Sequence, residues 1–328
     1  MLEYQSGMAR SHALRLTRRK GVLFHQKMVR APPMKTMNRY LSLVLVVLFG
    51  LGLTAVHAQS STFLVKATLS EPDQKKVNQF LMGKNGKAGF SYDSPLIDSD
   101  SVLGAVIAYR ALALGGLNPE FSFVDVPNSA RERDMVKAGE AVMAASVQWD
   151  YWFEQYGNAV YRSSVVIDNG LTEKGLYTTA EKSTSFKLRT AKDLAPLSVV
   201  STANWVIDWA TLKKLGLKAT LDSPTRTAMF KVVAGGRADA TLQSFSNLAD
   251  MGIEDSGVKL VPIRGIKVAL NGARAFMVSK ANNDGKKIFE ALEKGLAVMK
   301  GSKEIDRALQ ESGFLNPKVR DWTLLKAQ

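Results

Sequence analysis

Several short runs in this chain carry side chains suited to gripping a polar group rather than to breaking a bond. Ser201-Thr202-Ala203-Asn204 stand just before a helical stretch that starts at Trp205, and Ser223, Thr225 and Arg226 open the next one. Hydroxyls and free backbone N–H groups at a helix start favour an oxyanion, and a guanidinium can clamp a carboxylate or phosphate through paired hydrogen bonds. The same residues have structural readings: Thr202 or Asn204 as ordinary caps, Arg226 as a surface charge. Gln243 and Ser244 end an apolar strand, and Tyr92 follows an extended stretch. Trp149 and Tyr151 come just after another strand, where an aromatic ring stacks on a ligand or fills a core. Arg274 opens an apolar strand as a ligand contact or a hinge salt bridge, and Arg162 carries the same two readings.

What is missing narrows the chemistry further. The chain has no cysteine and three histidines, His12, His25 and His57. Met37-Asn38-Arg39, the apolar run Leu41 to Leu53 and the small-residue exit Val56-His57-Ala58 follow the three-part layout of a secretory signal peptide cut after Ala58. A run of 13 residues is short for a spanning helix, which needs about 20. Residues 1–33 are basic, lack a sustained apolar period and end in Pro32-Pro33; they read as an unstructured arm or as sequence ahead of a start at Met34 or Met37. The exported chain then holds neither imidazole nor thiol. That removes Ser-His-Asp triads, histidine-bound zinc, iron–sulfur clusters and disulfides. No phosphate-cradling Gly-x-x-x-x-Gly-Lys loop occurs, and no cofactor or metal is expected. Asp98 and Asp100 are better placed as helix caps than as a calcium loop, and Glu132 and Asp134 as acids near a helix start. A hydrolase working through two carboxylates stays open, since their separation is invisible in sequence.

The net charge of +14 is concentrated at the start. Residues 1–58 hold nine Lys/Arg against one acid, Glu3, so the remaining 270 residues carry only +6. That mild surplus, with no basic stripe interleaved with aromatics, argues against nucleic acid.

The elements that must position these side chains alternate. Strands are predicted at 63–69, 121–126, 141–147, 174–178, 197–201, 238–242, 258–263 and 273–278, with extended chain at 87–92 and 160–167. Helices are predicted at 72–81, 102–114, 129–137, 205–215, 224–233, 286–299 and 303–311. Gly115-Gly116, Gly139, Gly216 and Gly235-Gly236 stop them. Strands separated by helices of about ten residues predict an α/β fold with mainly parallel sheets flanked by helices. Val136-Lys-Ala-Gly139 and Val232-Val-Ala-Gly235 each lead from a helix into a return strand, once in each half, which suggests two lobes of similar design.

Glu173-Lys-Gly-Leu-Tyr-Thr178, Gly235-Gly-Arg-Ala-Asp-Ala240, and a tail containing Gly295, Gly313-Phe314 and Trp322 together resemble the periplasmic solute-binding proteins of family 3. The likeness spans most of residues 85–328. It implies a two-lobed fold, with lobe 1 from 60–161 and 272–328, lobe 2 from 162–271, and crossover strands at Val160–Ile167 and Arg274–Val278. It also implies a monomer that captures a small polar solute by hinge closure, outside the cytoplasm, for an inner-membrane permease or a sensor. The chain departs from the family at two anchors. Gln148-Trp149-Asp150-Tyr151-Trp152 contains no arginine where amino-acid binders grip the ligand carboxylate, and Ser244 stands where they hold the ligand amine with an acid. The ligand-binding set expected in the cleft is therefore Tyr92, Trp149, Tyr151, Ser201, Thr202, Asn204, Thr225, Arg226, Gln243, Ser244 and Arg274. A carboxylate enzyme of the cell envelope and a binding fold retained as an interaction module are the competing expectations.

Overall fold

The computed structural model describes residues 61–326; the expected signal peptide and the segment before it lie outside these residues. The chain first builds β1 (Phe63–Thr68), α1 (Glu71–Leu81), α2 (Asp100–Leu114), β2 (Pro119–Val124), α3 (Ser129–Ala138), β3 (Met143–Trp149), α4 (Asp150–Tyr156) and β4 (Val160–Arg162). Then follow β5 (Glu173–Thr178), α5 (Ala180–Ser183), β6 (Ser198–Ser201), α6 (Val206–Lys214), β7 (Ala219–Asp222), α7 (Arg226–Ala234) and β8 (Ala240–Ser244). The strands β9 (Ile253–Asp255), β10 (Val258–Pro262), β11 (Ile266–Ala269) and β12 (Arg274–Ser279), the helices α8 (Gly285–Gly301) and α9 (Glu304–Glu311), and β13 (Thr323–Lys326) complete it.

These strands form two sheets, one per lobe. The first runs β2-β1-β3-β12-β4, with β1 parallel to β2 and β3, and β12 antiparallel to both β3 and β4. The second runs β13-β11-β5-β8-β6-β7, with β9 and β10 as a side ribbon. The continuous apolar spelling of β3 and β12 follows from burial on both faces. Phe276 and Val278 join the core under α2 and α8, while Ala275 and Met277 join a second cluster with Val136 and Phe153. The second lobe likewise has one core around Leu176, Val199, Leu212 and Leu242 and another around Tyr177, Val200, Met229 and Phe230. The first-lobe helices α2 and α8 cross at backbone distance: a Cβ on Gly295 would lie 1.7 Å from the Ala111 carbonyl oxygen.

The lobes are joined by two extended crossovers. Only residues 160–162 of the expected 160–167 strand belong to a sheet. The chain then passes to the second lobe beside the returning segment that leads into β12. Val166 N–H donates to the Arg274 carbonyl at 2.8 Å, Arg274 N–H to Ile167 at 2.9 Å, and Leu270 N–H to Thr172 at 2.9 Å. Other differences from the sequence reading have local causes. Residues 87–92 form no strand, because Tyr92 is drawn into the first-lobe core. β7, β9, β11 and β13 are four residues or fewer and carry too little pattern to be seen. The tail, expected to remain in lobe 1, leaves α9 and ends as β13, paired in parallel with β11 in the second sheet. The lobes are thus connected a third time.

Two buried polar groups fix the first lobe. The Arg110 Nε donates to Glu304 Oε1 at 2.9 Å and its Nη2 to Glu304 Oε2 at 3.1 Å, and the Tyr92 hydroxyl donates to the same Oε1 at 3.1 Å. This cluster ties α2, α9 and the loop before α2 together. Glu132 on α3 is buried against β1 and β3, where it accepts from Ser146 at 2.9 Å and Gln148 at 3.1 Å. Burial pushes its carboxyl up to about 7, against the opposing pull of those hydrogen bonds and of Arg133.

Replacing Glu304 with Gln strands a buried guanidinium and is expected to cost about 3–5 kcal/mol of unfolding free energy, read by denaturant titration. For Glu132 the sign follows from the raised folded value. Below about pH 4.5 both states are protonated. From there to about 7 the unfolded chain ionises while the folded one keeps its proton, so stability falls as pH rises, by on the order of 3 kcal/mol. Glu132→Gln is expected to remove that slope in denaturant titrations repeated across this range.

Candidate interlobe binding cleft

The end of β8 and the starts of α2 and α7 line one cleft, and strand ends and helix starts are the usual place for a ligand in α/β proteins. They enclose a cleft of ≈ 910 Å³, within the range of small-molecule sites. From the first lobe come the loop 94–98, the start of α2, Arg274, and Ser312-Gly313-Phe314. From the second come Lys174, Trp205, Arg226, the run 243–248 and residues 252–254.

Each wall is built locally. Ser99 caps α2 by accepting from Val102 N–H at 3.2 Å, which leaves Asp100 as the first residue of the helix at the cleft. Thr225 caps α7 by accepting from Ala228 N–H at 3.1 Å, which puts Arg226 at the opposite lip. β8 delivers Gln243, whose Nε2 donates to Thr241 Oγ1 at 3.1 Å, and then Ser244. One end of the cleft is closed by contacts between the 246–248 turn and the tail. Asn247 Nδ2 donates to the Ser312 carbonyl at 2.9 Å, Asn316 Nδ2 to Ser246 at 3.1 Å, and Lys318 Nζ to the carbonyls of Asn247 and Leu248 at 2.9 and 2.7 Å. Gly313 sits at φ +75°, and a Cβ there would meet Asn247 Oδ1 at 2.1 Å, so this closure needs glycine.

The dominant electrostatic feature is Arg274. It is only 8 % exposed, yet it lines the cleft. Its Nη1 donates to Asp100 Oδ2 at 2.8 Å and its Nη2 reaches the Val147 carbonyl at 3.4 Å. The guanidinium lies 4.9 Å from the Trp149 ring centroid. Its Nε is buried and has no hydrogen-bond partner. The other lining cations are differently placed. Lys174 is committed to Asp208 and lies 5.3 Å from the Trp205 ring. Arg226 is half exposed, with Asp255 at 4.0 Å and the Phe230 ring at 5.1 Å. The lining thus presents a half-exposed cation, Arg226, and an exposed acid, Glu254.

Of the eleven residues expected there, Arg226, Gln243, Ser244 and Arg274 line it. Trp149 lies beneath Arg274 and packs on the second-lobe core. Tyr151 is on α4, edge-on to Trp152 at 4.8 Å. Tyr92 is fully buried on Glu304, away from the cleft, because its hydroxyl completes the Arg110 cluster. Ser201 and Thr202 are buried at the end of β6, and Thr202 Oγ1 accepts from Asn204 N–H at 3.3 Å in a local turn rather than capping α6. Asn204 is exposed outside the lining, and Thr225 serves as a cap. The sequence reading gave no cleft role to Asp100, Lys174, Phe245, Asn247 or Phe314. Asp100 and Arg274 are 174 positions apart, and no local pattern signals their pairing. Among the described residues no cluster of His, Cys, Asp and Glu could hold a metal, and no helix is long and apolar enough to cross a membrane.

The chain matches no protein-family model and no curated protein. Solved structures similar to it include the probable amino-acid ABC transporter extracellular-binding protein ytmK of Bacillus subtilis, 15 % identical over 79 % of this chain and 100 % of that one, TM-score 0.48. The periplasmic VFT2 domain of BvgS from Bordetella pertussis is 15 % identical over 76 % of this chain and 92 % of that one, TM-score 0.46. Substrate-binding domain 2 of GlnP from Lactococcus lactis is 19 % identical over 64 % of this chain and 84 % of that one, TM-score 0.41.

Proposed function

We propose that this chain is an extracytoplasmic solute receptor. It captures a small polar solute bearing an acidic group between its lobes, closes on it about the 163–172 and 270–273 crossovers, and presents the closed form to an inner-membrane permease or a sensor. It makes and breaks no covalent bond. The observation that carries the reading is Arg274: a nearly buried guanidinium at the start of β12 that lines the cleft, with the half-exposed Arg226 in the opposite wall. An anionic oxygen entering the cleft meets that guanidinium at the lining, and charge-assisted hydrogen bonds of this kind are the strong ones. Hinge closure follows from lobes with separate cores joined by extended segments. Export is supported by the Met37–Ala58 pattern. A carboxylate enzyme fits less well, since Asp98 is held by Lys76 at 2.7 Å and Asp100 by Arg274.

The test is a thermal-shift and calorimetric panel of small carboxylates, zwitterions and neutral polyols. At least one carboxylate is expected to stabilise the protein, by about 2.7 kcal/mol at 100 times its dissociation constant. Arg274→Met is expected to remove that ligand-induced shift while leaving a cooperative unfolding transition. A panel in which nothing stabilises the wild-type protein, or in which the variant binds as well, overturns the reading.

A further inference from the structure

We infer that the second lobe carries a docking surface for an anionic lipid bilayer, at the end of its sheet remote from the cleft. Residues 59–328 have a surplus of +6, and residues 180–218, from α5 to the start of β7, hold four of those charges: seven Lys/Arg stand against Glu181, Asp193 and Asp208. Asp208 is buried and already held by Lys174 from outside the segment. None of the seven cations forms an ion pair among the described residues. The topology brings most of them together. β6 runs parallel to both β7 and β8, so the chain enters all three strands at one end of the sheet and leaves them at the other. The exit end carries Gln243 and Ser244 and lines the cleft. The entry end receives Lys213 and Lys214 in the last turn of α6, Lys218 before β7, Lys192 before β6 and Arg237 before β8. The Lys182 Nζ reaches the same end, 3.3 Å from where a Cβ on Gly236 would stand.

Local acids do not balance this end. Asp193 accepts from the Arg189 and Thr190 N–H groups at 2.9 and 2.8 Å, Asp239 accepts from Ser198 N–H at 2.7 Å, and Glu181 stands beside Lys182. The C-terminal dipole of α6 takes up only about half a charge. Six of the seven cations in the segment are lysines. An ammonium on a flexible stem lacks the fork that fixes a guanidinium on one carboxylate, so a spread of lysines suits a field of many mobile headgroups better than one fixed acid. An aromatic side chain completes the surface. Trp209 is half-buried, belongs to none of the four cores, and has the Lys213 Nζ 5.0 Å from its ring centroid. Thr211 and Leu212 turn inward, while Ala210, Lys213 and Lys214 are exposed, so α6 shows solvent a stripe of indole and ammonium of the kind that sits at headgroup level. With this end on a bilayer, the cleft stays open to the aqueous side.

The experiment is co-sedimentation with vesicles of phosphatidylcholine alone and of an equimolar mixture with phosphatidylglycerol. Residues 59–328 form a compact unit that holds both sheets and all four cores, so the chain is tested from Gln59, free of the basic leader. It is expected to partition onto the mixed vesicles, not onto phosphatidylcholine, and to be released by added salt. Replacing Lys213, Lys214 and Lys218 with Gln is expected to weaken partitioning by about fivefold per lysine, on the order of 100-fold for all three. Replacing Lys87, Lys294 and Lys300 of the first lobe with Gln removes the same charge elsewhere and is expected to change it by less than about threefold. All six lysines are exposed, so both triple variants retain the fold, which unchanged thermal unfolding verifies. Equal binding to both kinds of vesicle, or to neither, overturns the inference, as does equal weakening by the two triple variants. Retention on immobilised poly-L-glutamate without vesicle binding also overturns it, in favour of an acidic polypeptide partner. None of these outcomes bears on the cleft, whose receptor reading stands or falls on the solute panel and Arg274→Met.

Discussion

Arg274 leaves the second crossover with its guanidinium between the Trp149 ring and the Asp100 carboxylate, and three elements far apart in the chain meet there. The ion pair fastens the start of α2 to the first residue of β12, and the contact to Val147 fastens both to β3. Because β12 is also where the chain returns from the second lobe, the charge sits at the hinge and at the floor of the cleft together. A charge in that position is tolerable only if its surroundings supply acceptors. The folded chain supplies them for Nη1 and Nη2 and leaves Nε open.

The rest of the architecture makes such a site accessible. Each lobe has its own buried cores, and the two meet where Trp149 of the first lobe and Leu325 of the tail pack on the core of the second. The tail joins the two lobes. β13 adds to the second sheet, Phe245 packs edge-on to Trp322 at 5.6 Å, and the Asn247, Asn316 and Lys318 hydrogen bonds lock one end of the groove. The other end is lined by the starts of α2 and α7, where Asp100 and Arg226 face the cleft. Within the first lobe, the Arg110–Glu304–Tyr92 cluster holds α2 at the angle that keeps its N-terminus on the cleft.

How much of this was legible in the chain depended on the range of the interactions. Strand and helix positions were visible wherever a segment was long and patterned, as in 102–114 or 174–178, because periodicity is a local consequence of burial on one side or both. Short strands that owe their existence to a neighbour, such as β11 and β13, were not. Among the residues that line the cleft, Gln243, Ser244, Arg226 and Arg274 were legible because strand ends and helix starts have local signatures. Tyr92 was misplaced because its partner, Glu304, lies 212 positions away. Ser201, Thr202 and Trp149 lie close to the cleft in sequence logic, but packing turned them into the wall behind it.

The sequence by itself determined an α/β pattern and, after residue 58, 270 residues without thiol or imidazole, and hence side-chain chemistry limited to hydroxyls, amides, rings, carboxylates, amines and guanidinium groups. Those are properties of composition and short-range pattern, and no fold can alter them. Only the tertiary structure decided which guanidinium is buried, which acids are already neutralised and which donors remain open. Those depend on contacts between residues 22 to 219 positions apart, such as Asp98 with Lys76, Arg274 with Asp100, Asn247 with Ser312 and Tyr92 with Glu311, and electrostatic environment is set by what surrounds a group in space rather than by what stands beside it in the chain.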